Sequence, residues 1–280
     1  MDTTLIDGKA AAAALREQIA SSVSTSSVKP GLAVILVGDD PASHVYVGNK
    51  IKACEQTGIR SFECRLPENA SQKDVQDAIN SFNADPDVHG ILLQLPVPAH
   101  LDSDALIQSI APEKDVDGLS FVNQGKLVAG DASGLVPCTP QGSLMLIKSV
   151  RSDLSGLHAV VIGRSLLFGK PMAQLMLQEN CTVTMAHSKT RRLPDICAQA
   201  DILIAAVGRP EMVKANWIQL GAIVIDVGIN RLESGKLCGD VATQEAMGIA
   251  SAITPVPGGV GPMTIACLLK NTLKAASIKQ

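Results

Sequence analysis

A series of short aliphatic runs limits what this chain can fold into: LAVILV at 32–37, GILLQL at 90–95, HAVVI at 158–162, ILIAAVG at 202–208 and AIVIDVG at 222–228. Their residues are apolar consecutively rather than alternately, as in strands covered on both faces of a parallel sheet. Aromatic residues make up only 2% of the chain against 46% hydrophobic, so the core is expected to be built from Val, Ile, Leu and Ala. Stretches of helical spacing separate the runs, and strand–helix alternation implies parallel sheets with right-handed crossovers. A length of 280 residues leaves room for two α/β domains.

In the first half, helical spacing runs from Gly8 to Ile19, and a second helix is expected to open near Pro41 and Ser43 and stop at Gly58. A strand is expected over 61–66, a helix over 71–82 capped by Ser71, a strand over 90–95 and a helix over 102–110. The second helix carries Tyr46, the only tyrosine, and Lys50 four residues on. That spacing puts both on one helix face. Phenol and amine make either a candidate acid/base pair or an exposed lysine lying over a half-buried tyrosine.

Polar residues interrupt the pattern twice. QLPVP, 94–98, places Gln94 at the end of a buried strand, either as a ligand or as a capping amide. KDVDG, 114–118, offers Asp115 and Asp117 in a loop, and at least one of the two is expected to serve only the turn. Loops at the carboxyl ends of parallel strands are where such sheets bind ligands.

A small, polar stretch over 130–137 suits a crossing between domains, and PCTPQG, 137–142, then predicts a helix with Thr139 as its cap and Pro140 at its first position. The second half restarts with the strand 158–162, the glycine turn GRSLLFGKP, 163–171, and a helix. This layout binds a dinucleotide pyrophosphate at a helix N-terminus. Its spacing is GxSxxxG, with Ser165 where the close-approach glycine would stand. After the next strand, 182–186, the acidic residue of NAD-binding sites is absent; HSKTRR, 187–192, stands there, and Arg164 lies in the glycine turn. Hydroxyl and guanidinium suit a 2′-phosphate, so NADP is favoured over NAD; the alternative is a solvated basic loop. TPVPGGVGPMT, 254–264, is either a rigid ligand-facing loop or a structural linker, and a closing helix follows to about Ala275.

Net charge is −3 with no long charged run, which argues against nucleic-acid partners and an anionic membrane surface. Seven scattered cysteines without CxxC imply reduced thiols and no zinc or other metal site. The N-terminal residues lack a basic region followed by an apolar one, and no apolar run is long enough to span a membrane. A cytoplasmic protein is the expectation.

SHVYVGNK, QLPVP, KDVDG, PCTP, GRS, HSKT and PGGVGPMT stand in one order along nearly the whole chain. In this the sequence resembles the bifunctional methylenetetrahydrofolate dehydrogenase/methenyltetrahydrofolate cyclohydrolase family. One departure is Phe168, where that family usually has valine. The resemblance implies two α/β domains with parallel sheets and a cleft between them. The first, 1–138 plus 262–280, would bind folate and carry catalysis, with the last helix returning to it. The second, 139–261, would be a Rossmann-like NADP-binding domain and the route to a homodimer. Tyr46 and Lys50 would line the reacting carbon, and Gln94 would hold the Lys50 amine. Asp117 would grip the pterin, and Pro257, Gly258 and Gly259 would lie against the folate. Gly163, Arg164, Ser165, Ser188 and Ile229 would bind the nucleotide, with Thr139 near the nicotinamide. YxxxK also marks short-chain dehydrogenases, but there the pair follows the glycine turn, whereas Tyr46 precedes Gly163. The competing expectations are a two-domain NADP enzyme of shikimate-dehydrogenase type and a nucleotide-sensing protein without chemistry.

Overall fold

A computed structural model describes residues 2–278. In chain order the elements are β1 (Thr4–Leu5), α1 (Gly8–Thr25), β2 (Gly31–Val37), α2 (Pro41–Thr57), β3 (Arg60–Leu66), α3 (Gln72–Ala84), β4 (Gly90–Leu93), α4 (Ser103–Gln108), α5 (Phe121–Ala129) and α6 (Cys138–Val150). There follow β5 (His158–Ile162), α7 (Gly169–Gln178), β6 (Thr182–Ala186), α8 (Leu193–Cys197), β7 (Ile202–Ala205) and a 3-10 turn (Ala215–Trp217). The rest are β8 (Ile223–Asp226), β9 (Asn230–Arg231), β10 (Leu237–Cys238), α9 (Thr243–Ala246), β11 (Ala252–Ile253) and α10 (Val260–Ile278).

The chain divides into two compact units, one of Ala13–Cys138 with Ile265–Gln280, the other of Met1–Ala12 with Thr139–Thr264. The expected division, 1–138 plus 262–280 against 139–261, differs at the N-terminus and by three residues, 262–264, at the start of α10; residues 1, 279 and 280 of it lie outside the described residues. Residues 2–12 go with the second half because β1 pairs in parallel with β11, Thr4 opposite Ala252 and Leu5 opposite Ile253. A two-residue strand has no period to read, so only its partner reveals it.

The unit of residues 13–138 holds a parallel sheet in the order β3-β2-β4. All seven residues of β2 are buried, as a central strand requires, whereas β3 alternates between half-buried and exposed, as an edge strand does. Ile35, Val37, Val75, Ile79, Ile91, Leu93 and Leu106 form its core. Helix ends follow local chemistry. Asp40 accepts the Ser43 N–H at 2.8 Å and Pro41 opens α2, while Gly58, at φ +75°, closes it in a conformation that glycine adopts without strain. Ser71 and Asp74 form a reciprocal capping box on α3. From Ile265 onward α10 belongs to this unit, so the last helix returns to the first half of the chain. Thr139 is not a cap, because α6 already begins at Cys138.

Lys114 is buried to 1% exposure. Its Nζ donates to the carbonyls of Phe82, Asn83 and Asp85 at 2.9, 2.8 and 2.7 Å. These lie at the end of α3, where carbonyls lack helical partners and the dipole is negative. Lys114→Met keeps the bulk of the side chain and strands those carbonyls, so it should cost roughly 3 kcal/mol. Thermal melting is the check: an unchanged Tm would show that the ammonium contributes nothing net.

The other unit holds a six-stranded parallel sheet in the order β6-β5-β7-β8-β11-β1. Val160, Ile162, Leu203, Ala205, Val224 and Ile253 are in its core. The chain leaves β5 for β6 on one side and returns to β7 on the other, so β5 and β7 flank the point where strand order reverses. This is a Rossmann-like arrangement, and such switch points bind ligands at the strand carboxyl ends. β9 and β10 pair as a separate antiparallel ribbon. The cysteines are free thiols. Among the described residues, no helix is long and apolar enough to cross a membrane, and no group of three or more His, Cys, Asp or Glu is arranged to hold a metal ion.

Candidate active site

Helix α2, strand β4 and the loop after α4 bring Lys50, Gln94 and Asp117 into one unit. Lys50 Nζ donates to Gln94 Oε1 at 2.6 Å. The Gln94 amide is itself oriented, since its Nε2 donates to the Leu95 carbonyl at 2.5 Å and its backbone N–H to Ile35 at 2.9 Å. Its oxygen is thereby left for the lysine. The Leu95–Pro96 bond is cis. Burial pushes the Lys50 ammonium below its ordinary pKa; the charge of Asp117, and after it Cys138, opposes the shift. Tyr46, one turn earlier on α2, is about half exposed.

The residues of KDVDG serve different ends. Lys114 closes α3, as described. Asp115, buried to 1% exposure, accepts the Ser120 N–H at 2.7 Å, the Asn123 side chain at 2.9 Å and the Leu119 N–H at 3.2 Å. It therefore builds the start of α5, whose cap is Ser120. Gly118 has φ +72°, and a Cβ there would stand 2.6 Å from the Pro137 nitrogen. Asp117 is deeply set with part of its surface still accessible. Burial raises its pKa, the Lys50 charge lowers it and Asp115 raises it again. A thiol hydrogen bond from Cys138 also favours its ionised form.

Sequence reasoning missed the support behind Asp117. Asn271 Nδ2 lies 2.8 Å from both the Val116 and Val136 carbonyls, so α10 ties the aspartate loop to the segment before α6. Cys138 Sγ stands 3.2 Å from the Val116 carbonyl. Burial, followed by the Asp117 charge, pushes its thiol pKa well up, which keeps it a donor. PCTP contained Cys138, but only the fold sets it beside Asp117.

The remaining predicted site residues belong to the other unit. Gly163 has φ +130°, and a Cβ there would lie 2.5 Å from the Ala206 carbonyl oxygen. A Cβ on Gly169 would lie 2.2 Å from the Gly163 carbonyl oxygen. At Gly163 and Gly169 the turn before α7 therefore admits only glycine, because backbone packs against backbone there. Ser165 Oγ accepts the Phe168 N–H at 3.1 Å and the Gly169 N–H at 3.5 Å, so its hydroxyl serves the start of α7. Phe168 is buried. β5 and β6 run in register, Ile162 opposite Ala186, which sets Arg164 and Ser188 just past the same sheet edge; both are exposed. Of the basic loop, Arg192 is taken up by Asp195 at 2.6 Å. Ile229 follows β8 and is 53% exposed. Thr139 Oγ1 lies 3.1 Å from Thr264 Oγ1. The Val256–Pro257 bond is cis. Gly259 packs against the N-terminal segment so closely that a Cβ on Gly8 would overlap its carbonyl.

Residues 6–117 match the family described as tetrahydrofolate dehydrogenase/cyclohydrolase, catalytic domain, and residues 137–280 its NAD(P)-binding domain. The Bifunctional protein FolD of Rhizobium johnstonii is 56% identical over 287 residues, covering 98% of this chain and 96% of that protein. The bifunctional FolD methylenetetrahydrofolate dehydrogenase/cyclohydrolase structure from Campylobacter jejuni superposes with TM-score 0.96 at 47% identity, covering 99% of this chain and 100% of that one. The Trypanosoma brucei FolD structure, complexed with NADP cofactor and inhibitor, gives 0.93 at 37% identity, covering 100% of this chain and 99% of that one. Shikimate 5-dehydrogenase from Thermus thermophilus, at 0.51 and 12% identity, shares the fold alone. With both domains matched in order, the chain belongs to the tetrahydrofolate dehydrogenase/cyclohydrolase family.

Proposed function

We propose that this enzyme oxidises 5,10-methylenetetrahydrofolate to the 5,10-methenyl form with NADP⁺ and hydrolyses that product to 10-formyltetrahydrofolate. The observation carrying the reading is the desolvated Lys50 amine held on Gln94, within the stretch that matches the family's catalytic domain. The bound cofactor supplies the hydride acceptor, and this step needs alignment rather than an acid or base. Gly163, Arg164, Ser165, Ser188, Ile229 and Thr139 hold the cofactor, with its pyrophosphate at the N-terminus of α7, where the chain turns through Gly163 and Gly169. Asp117 accepts the paired N–H groups of the pterin, Tyr46 lines the ring, and Pro257, Gly258 and Gly259 lie against the folate.

Hydration of the methenyl cation is the proton chemistry. Water adds to the bridging carbon and loses a proton; the bond from that carbon to N5 then breaks as N5 gains one. Neutral Lys50 can donate to Gln94 and still offer its lone pair to the water. The ammonium so formed returns the proton to N5. Burial that lowers the lysine pKa keeps more of it in the basic form. The test is a pair of assays on one preparation: methenyl formation with NADP⁺, and methenyl decay without it. Absence of both would overturn the reading, whereas decay alone would leave a cyclohydrolase.

Arg164 and Ser188 read the 2′-phosphate. Arg164→Ala with Ser188→Ala should raise KM for NADP⁺ by about tenfold or more while NAD⁺ changes little. Equal losses with both cofactors would mean that these residues do not discriminate. The protein acts in the cytoplasm, without nucleic-acid or membrane partners, as a homodimer through the cofactor domain, where β6 leaves a free sheet edge.

A further inference from the structure

Two buried carboxylates at the end of the six-stranded sheet have no part in the chemistry above. Asp226 ends β8 and Asp240 follows β10; their exposures are 1% and 0%. Asp240 Oδ2 accepts the Val207 and Gly208 N–H groups at 2.6 and 3.0 Å. Its Oδ1 accepts the Arg209 N–H at 2.8 Å and the Asn230 side-chain amide at 2.9 Å. Asp226 stands behind it, with Oδ1 accepting the Asp240 and Gly228 N–H groups at 2.8 and 3.0 Å and Oδ2 that of Val241 at 2.9 Å. The backbone is moulded around both groups. A Cβ on Gly239 would overlap Asp226 Oδ2, and one on Gly228 would lie 2.3 Å from Asp240 Oδ1.

The segments so held are the ones a nucleotide would meet. Val207, Gly208 and Arg209 form the loop after β7, at the switch point, and the residue before them, Ala206, gives the carbonyl packed against Gly163. Gly228 and Asn230 flank Ile229. We propose that Asp240, supported by Asp226, is a positioning residue for NADP: it fixes the loops after β7 and β8 in the shape that receives the cofactor. The inference rests on the NADP-dependent function proposed above. Every partner of Asp240 is a donor, which only a carboxylate can satisfy on both oxygens. Asp240→Asn turns an NH₂ toward one pair of those donors and leaves them unpaired.

The experiment uses the full chain and separates cofactor binding from the rest of the enzyme. KM for NADP⁺ should rise roughly tenfold or more in Asp240→Asn. KM for the folate, and methenyl hydrolysis without NADP⁺, should stay at wild-type values, which a general loss of folding would not allow. A KM for NADP⁺ that does not move, or hydrolysis that falls in parallel, overturns the proposal. Should Asp240→Asn fail to fold, Asn230→Ala removes one partner and keeps the carboxylate; a rise of about threefold in the same constant is expected, and no rise overturns the proposal. A wild-type chain without either activity sinks the enzyme reading and this inference with it. An active wild type with an unmoved variant sinks the inference alone.

Discussion

Lys50→Gln should lower methenyl hydrolysis by about 10²- to 10⁴-fold, the usual contribution of a positioned acid/base group, and leave methenyl formation with NADP⁺ reduced but measurable. Glutamine has similar reach and keeps a donor for Gln94 Oε1, which now receives the Lys50 amine at 2.6 Å. It has no basic lone pair for water and no proton for N5. Hydride transfer needs neither and suffers only from poorer alignment. The pH profile adds a second readout. Burial lowers the Lys50 pKa from 10.5, and the base is the neutral form, so wild-type hydrolysis should rise with pH through a midpoint below that value. The variant should lose that limb. Parallel loss of both activities would make Lys50 a binding residue, and hydrolysis at the wild-type rate would move the role to another group, with Tyr46 first.

Asp117→Asn should weaken both activities together, at a cost of about 1–3 kcal/mol in folate binding. The new NH₂ faces substrate N–H groups that the carboxylate had accepted. The same change removes the charge that holds the Lys50 pKa up, so the hydrolysis profile should shift to lower pH. Asp115→Asn is the contrast. Asp115 is spent on Ser120, Asn123 and Leu119, so its loss should lower Tm with the kinetic constants of the surviving protein near wild type. A reversal of the two phenotypes would show that Asp115 is the substrate ligand.

Much of the frame was legible because its causes are local. Consecutive burial on β2 comes from an aliphatic run, and the ends of α2 and α3 come from Asp40, Gly58, Ser71 and Asp74, each acting within one helical turn. β6 occupies the expected residues, 182–186. α5, over 121–129, went unread because its start depends on Asp115, and β1 because its partner lies near residue 252. The expected Thr139 cap failed because the residue before it, Cys138, is already in the helix.

The sequence alone determined the alternating α/β plan, the aliphatic core, the glycine turn and the candidate residues, since periodicity, caps and turn chemistry act over a few neighbours. Only the tertiary structure decided what each polar residue does. The two aspartates of the string KDVDG are chemically equivalent candidates, and the string does not say what its charged residues Lys114, Asp115 and Asp117 do. One closes α3, one opens α5, and one is left beside Lys50 and Cys138. A polar side chain takes whichever donor or acceptor burial brings within about 3 Å, and those partners come from distant parts of the chain.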